Sequence, residues 1–295
     1  MTVITLLHPG SMGAAVGAQA VRGGARVLWV PTGRSAATAE RAERSGLEGR
    51  ASLAEALLDS DLVISVCPSQ AAEDIALQVA GQPFGGVFVD ANAVSPQRAL
   101  RFSEIFRRRG TPMVDGVIFG APPTGERRAR LYVAGDPDDT AVLGAAFDGT
   151  NVDVRPLDGP IGTASALKMA FTSFQRSART LTAVAHALAA AHGVGDALNR
   201  EAEVMVSEIL SDPGYLPSVA ARAWRWIPEM EEIAATLDAA GLPDDLARAT
   251  ATVMRSWEKD KDRFDIPLDQ VLERLRTTGS TDGVEGDSGP TGSLR

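Results

Sequence analysis

The chain has 295 residues, 44% of them hydrophobic and 23% charged, with a formal net charge of -9. Roughly 100–200 residues make one domain, so two are expected, and the negative field argues against nucleic acid as a partner. One cysteine (Cys67) and three histidines (His8, His186, His192) form no metal-ligand spacing and no intrachain disulfide, and no apolar run is long enough to cross a bilayer. A cytoplasmic protein with no metal and no membrane contact is expected.

The first expected strand, residues 3–7, breaks at His8-Pro9-Gly10-Ser11-Met12-Gly13 and gives way to an Ala- and Val-rich helix over residues 14–21, closed by Gly23 and Gly24. A strand, a glycine-containing turn and a helix form the pattern of a dinucleotide site. Glycine lets the backbone approach a pyrophosphate, and the unpaired N–H groups opening the helix meet its charge. The G-x-G-x-x-G pattern is incomplete, because His8 stands at the first glycine while Gly10 and Gly13 remain, with Ser11 and Met12 between them. An ordinary tight turn is the alternative, and a second strand at 26–30 favours the nucleotide. That strand has no acidic residue at its end, where an NAD site usually holds the ribose diol. Instead Thr32, Gly33, Arg34 and Ser35 offer hydroxyls, a guanidinium and helix-opening N–H groups, which suits the 2′-phosphate of NADP; a solvated arginine ahead of a helix is the alternative.

Helix spacing follows at 35–45 and at 52–60, the latter with capping-box residues Ser52 and Glu55, and a strand is expected at 62–67. Next come a helix at 71–80, a strand at 87–90, a helix at 96–109 opened by Ser95 and Pro96, strands at 113–118 and 130–134, a helix at 138–147 and a strand at 151–155. This alternation specifies a Rossmann-type, doubly wound parallel sheet with helices on both faces, over residues 1–158. Ligands of such sheets lie beyond the carboxyl ends of the strands, which puts Cys67, Pro68 and residues 92–95 beside the nicotinamide half. Asn92 is read either as a hydrogen-bonding group for cofactor or substrate or as a turn-forming residue, and Cys67 as pocket lining rather than a nucleophile. Residues 159–278 are expected to form an all-helical domain and 279–295 a disordered tail. Within the helical part, Trp224, Trp226 and Met230 are expected in the core and Tyr215 in a loop. His186 and His192 are expected in solvated or capping roles, and the acidic runs at 229–232 and 244–245 on solvated helix faces.

Four pieces occur in order: Gly10-Ser11-Met12-Gly13, Asp90 to Pro96, Asp115 to Gly120, and Gly162 to Lys168. Together they resemble the β-hydroxyacid dehydrogenase and 6-phosphogluconate dehydrogenase-like superfamily over about residues 2–172, in a less characterised branch with its own C-terminal helical domain. The resemblance implies a helical second domain that contributes to a homodimer and hydride transfer involving a small-molecule substrate. It also implies a catalytic lysine at Lys168, whose apolar surroundings (residues 164–171) would lower its pKa; a lysine snorkelling from an amphipathic helix is the bland alternative. Two departures bear on the substrate. Thr172 stands where relatives usually carry a substrate-holding asparagine, and Phe119-Gly120-Ala121 replaces a Ser-Gly-Gly segment, which removes a carboxylate-binding serine and favours a bulkier or less polar substrate. Besides an NADP-dependent dehydrogenase, an imine reductase and a non-catalytic NADPH sensor are compatible with these residues.

Overall fold

The computed structural model describes residues 1–204, 209 and 212–277, so the expected tail at 279–295 lies outside the described residues. Two compact units divide the chain: Met1–Arg176 with Arg225–Ala251, and Ser177–Trp224 with the chain from Thr252 onward.

The first unit is built on eight strands: β1 (Val3–Leu7), β2 (Arg26–Trp29), β3 (Glu48–Gly49), β4 (Leu62–Ser65), β5 (Val87–Asp90), β6 (Met113–Phe119), β7 (Ala129–Ala134) and β8 (Val152–Pro156). They form one sheet in the order β3-β2-β1-β4-β5-β6-β7-β8. Each expected strand is present within two residues of its expected bounds, and the two-residue β3 is too short to show any hydrophobic period. All pairings are parallel except β6 with β7, which is antiparallel. The reason is length, because the nine residues joining them cannot hold a crossover helix, whereas a hairpin needs only a short link.

Side chains alternate across the strands, and both faces are apolar, as a doubly wound sheet requires. Ile4, Leu6, Val27, Leu62, Ile64, Val87 and Val89 join one core with Val16 and Ala20 of α1 (Ser11–Arg22), Ala42 of α2 (Ala36–Arg44) and Leu143 of α6 (Pro137–Ala146). Leu7, Val63 and Phe88 join the other with Leu57 of α3 (Leu53–Leu58), Ile75 and Val79 of α4 (Ala72–Ala80), and Phe102 and Phe106 of α5 (Pro96–Arg107). Phe88 and Phe106 stack with centroids 4.2 Å apart. The expected caps form: Ser52 Oγ accepts from Glu55 N–H at 3.2 Å, and Ser95 Oγ from Arg98 N–H at 3.4 Å. Each such cap stabilises its helix by about 1 kcal/mol.

Beyond β8 the described chain is helical: α7 (Thr163–Ala191), α8 (Gly195–Val204), α9 (Leu216–Ala239), α10 (Asp245–Met254) and α11 (Leu268–Thr277). In the second unit Trp257 is fully buried and its indole donates to the Val271 carbonyl at 2.9 Å. The carboxylate of buried Asp260 is held by Arg263 at 3.1 Å and Arg274 at 3.3 Å. His186 corrects an expectation, since it is buried on the inner face of α7 with Thr182 and Ala183, one turn before it. Trp224 is only half-buried: its indole donates to Asp262 at 3.3 Å beneath the Lys261 ammonium. Tyr215, in a short turn, carries the Arg179 guanidinium over its ring. No helix among the described residues is long and apolar enough to cross a membrane.

Among the described residues, only His8 and Asp262 are non-glycine positions with positive φ, and His8, at 65°, has the backbone expected of the glycine it replaces. Burial, then the Arg34 charge, lowers the His8 pKa from 6.5 to about 4. The folded state therefore binds fewer protons than the unfolded chain between these values, and stability present above pH 6.5 is lost as pH falls toward 4. His8→Gly is expected to stabilise the fold by about 1 kcal/mol at neutral pH, and this gain should grow on acidification; thermal melts at pH 7 and pH 5 measure both.

Candidate dinucleotide and proton-transfer site

Parallel β2, β1, β4 and β5 bring four turns to one edge of the sheet, and the winding direction reverses between β1 and β4, opening a crevice there. In the first turn, Gly10 N–H donates to the His8 carbonyl at 2.7 Å. A Cβ on Gly13 would be driven into that same carbonyl oxygen, whereas Gly10 borders open space. Gly10 caps α1 without a side-chain bond, so the N–H groups opening this helix have no side-chain acceptor there. Ser11 is exposed and Met12 packs on the core below. Glycine at Gly10 and Gly13, together with a helix start that lacks a side-chain cap, fits a dinucleotide pyrophosphate.

After β2, Thr32 through Ser35 are exposed. Gly33 takes φ 74°, and Arg34 N–H closes the turn on the Pro31 carbonyl at 3.0 Å. Ser35 Oγ is spent on capping α2, and Thr32 Oγ1 bonds the Ala51 carbonyl at 3.3 Å. The Arg34 guanidinium has no ion-pair or hydrogen-bond partner among the described residues, while its charge reaches His8 and Cys67. At the ends of β4 and β5 the side chain of buried Asn92 is engaged within the protein. Its Oδ1 accepts from Cys67 N–H at 2.5 Å, and its Nδ2 donates to Ser65 Oγ at 3.0 Å and to Asp90. Asn92 thus ties the two strand ends together. Pro68 is exposed beside them, and burial pushes the Cys67 thiol up to about 12, which rules it out as a thiolate nucleophile.

Lys168 sits on α7, whose start is held by Asp115 in the middle of the sheet. That carboxylate accepts from Gly162 N–H at 2.9 Å, Ser165 N–H at 3.0 Å and Ser165 Oγ at 2.7 Å. Three residues along β6, the Ile118 carbonyl accepts from Lys168 Nζ at 2.8 Å. The ammonium lies 4.6 Å from the centroid of Phe119, whose ring is buried between Tyr132 and Phe171 in edge contacts. Burial is the main cause that lowers the Lys168 pKa from 10.5 to about 8; Glu229 opposes the shift, and Arg176 and Arg225 add to it. Gly120, exposed at φ 105°, follows Phe119, and buried Thr172 donates to the Lys168 carbonyl at 2.7 Å, bracing the helix that carries the amine.

Several contacts of this region carry no sequence signal. Asp90, fully buried and aligned with Asp115 across β5 and β6, has its pKa raised from 3.8 to about 7, first by burial and then by the Asp115 charge. Glu229 and Glu232 correct the expectation of a solvated face. Glu229 pairs with Arg176 at 3.0 Å, and Arg176 stacks on buried Trp226. Glu232 holds Arg98 at 2.5 Å and accepts from Ser95 N–H at 3.1 Å. The partners lie 53 to 137 residues away, so no local pattern reveals them. Among the described residues no group of three or more His, Cys, Asp or Glu could hold a metal ion.

The family of the NAD-binding domain of 6-phosphogluconate dehydrogenase matches residues 4–151, half of the chain, and this protein belongs to that family. A domain of unknown function, DUF1932, matches residues 189–257. No curated protein matches the sequence. Among solved structures, a Mycobacterium tuberculosis 3-hydroxyisobutyrate dehydrogenase with L-serine is similar at 19% identity and TM-score 0.73, over 94% of this chain and 99% of that one. A Streptomyces aurantiacus imine reductase is similar at 21% identity and TM-score 0.58, over 95% and 100%. An Aspergillus terreus reductive aminase in complex with NADPH and ethyl levulinate is similar at 19% identity and TM-score 0.59, over 94% and 100%. At these identities the likeness is one of fold.

Asp115→Ala removes three acceptor contacts and uncaps α7, and is expected to destabilise the protein by about 2–3 kcal/mol in chemical denaturation, with Asp115→Asn losing less.

Proposed function

We propose that the protein is an NADP-dependent oxidoreductase that transfers hydride between the nicotinamide and a hydroxyl- or carbonyl-bearing carbon of a small organic substrate, with Lys168 as general acid and base. The observation that carries this reading is the Lys168 amine, anchored on the Ile118 carbonyl in largely dry surroundings that lower its pKa to about 8. Near that pH both protonation states are populated. The neutral amine takes the hydroxyl proton as an alcohol is oxidised, and the ammonium gives a proton to the oxygen as a carbonyl is reduced. The cofactor supplies the hydride chemistry. Gly10 to Gly13 and the opening of α1 hold its pyrophosphate, and Arg34, with no acidic residue at the end of β2, favours the 2′-phosphate.

The same region bears on the substrate. Phe119 beneath the amine and half-exposed Phe171 beside it offer apolar surface, Gly120 leaves room for close approach, and Asn92 and Thr172 shape the surrounding backbone. A bulky, weakly polar carbonyl compound fits better than a small hydroxyacid. Imine reduction is the second reading, favoured by this apolar surface and by the likeness to an imine reductase. It ranks below because an iminium and the Lys168 ammonium repel each other. The assembly we propose is a homodimer: Leu167, Phe174, Leu181 and Val184 recur at helical spacing along α7 with 36–67% exposure, a stripe that a second copy would cover.

Lys168→Ala is expected to lower turnover by about 10²–10⁴-fold while leaving NADPH affinity unchanged. For the native enzyme, alcohol oxidation should rise with pH to a plateau above about 8 and carbonyl reduction should fall above it; NADPH oxidation against ketones, ketoacids and cyclic imines tests the reaction class. Arg34→Glu should weaken NADPH binding by at least about tenfold and leave NADH binding little changed in calorimetric titration. Phe174→Glu, which puts a charge in the apolar stripe, should convert a dimer to a monomer in sedimentation velocity.

A further inference from the structure

We infer that His8 is itself a ligand of the dinucleotide, donating a hydrogen bond from Nε2 to a phosphate oxygen. This rests on the dinucleotide-binding domain and, for the choice of NADP over NAD, on the function proposed above.

The first observation is backbone geometry. His8 holds φ 65° in the turn between β1 and α1, where glycine would sit without strain. An L-residue there costs about 1 kcal/mol, so the side chain has a use that glycine lacks. Its backbone does not account for that use, since the carbonyl serves Gly10 N–H and any residue supplies a carbonyl.

The second observation is the ring. Nδ1 is buried without a hydrogen-bond partner, while the residue is only partly buried and Nε2 is the nitrogen left open to an approaching group. A neutral imidazole carries one proton, and a phosphate oxygen has only lone pairs to offer, so it selects the tautomer with the proton on Nε2. The buried Nδ1 then keeps an unshared lone pair.

The third is setting. The ring belongs to the turn that also contains Gly10, next to open space, and the start of α1. The Arg34 charge acts on the ring, and Arg41 donates to the adjoining Pro9 carbonyl at 3.3 Å. A donor among groups suited to phosphate replaces what a glycine would have given by closeness alone.

Calorimetric titration of NADPH and NADH into the native chain, His8→Gly and His8→Asn tests the contact. The glycine variant restores a favoured backbone, and the asparagine variant keeps a residue tolerant of positive φ while shortening the donor. The expected result is a Kd for NADPH raised roughly five- to tenfold in both variants, even though His8→Gly melts higher than the native chain. A residue that only shapes the turn would give unchanged or tighter binding in the glycine variant. An equal loss for NADPH and NADH assigns the contact to the pyrophosphate; a loss confined to NADPH assigns it to the 2′-phosphate. Native binding that neither variant weakens overturns the contact and leaves the proposed function standing. Failure of the native chain to bind either dinucleotide overturns both.

Discussion

One buried carboxylate governs the geometry of the candidate site. Asp115 takes three hydrogen bonds from the first turn of α7, and three residues further along each element Lys168 reaches the Ile118 carbonyl. Three residues advance a strand by about 10 Å and a helix by about 4.5 Å, and the long lysine side chain spans the difference. Helix and strand are thereby joined at two points, which fixes the rotation of α7 as well as its position. The amine's surroundings, its closeness to Phe119 and its lowered pKa all follow from that register.

Placing Asp115 there has an electrostatic consequence for the next strand. Asp90 stands opposite it in the β5–β6 register, and two carboxylates in dry surroundings do not both ionise easily. Asp115 has Gly162 and Ser165 as donors, which oppose part of the upward push of burial, whereas one oxygen of Asp90 has no partner and the other is shared with Asn92. The proton therefore favours Asp90. Through Asn92 this carboxyl pair is tied to Ser65 and Cys67, so one network of polar side chains joins the ends of β4 and β5.

The cationic side of the site is balanced by acids on α9. Glu229 pairs with Arg176 and also acts on Lys168, and Glu232 ties Arg98 and the start of α5. Both are mostly withdrawn from water, where an ion pair persists only with good geometry and full pairing. Sequence alone reads those glutamates as solvated, because an acidic run on a helix is solvated unless cations arrive from elsewhere. Here they arrive from helices remote in the chain.

The sheet, its covering helices and the helical second half were legible because each rests on local periodicity and on caps such as Ser52 and Ser95, which act within a few residues. So were the β1–α1 turn, Arg34 after β2, and Lys168 within an apolar stretch, since each announces itself by residue type at a short spacing. The antiparallel β6–β7 pair, the burial of His186, the Asp90–Asp115 pairing and the ion pairs of α9 were not legible. They are contacts between elements, and no residue's neighbours in sequence encode who will face it. Sequence by itself determined which groups are candidates for holding a dinucleotide and moving a proton. Tertiary structure decided the surroundings of those groups, because burial and partner distance set a pKa or a hydrogen bond, and both exist only once the chain has packed.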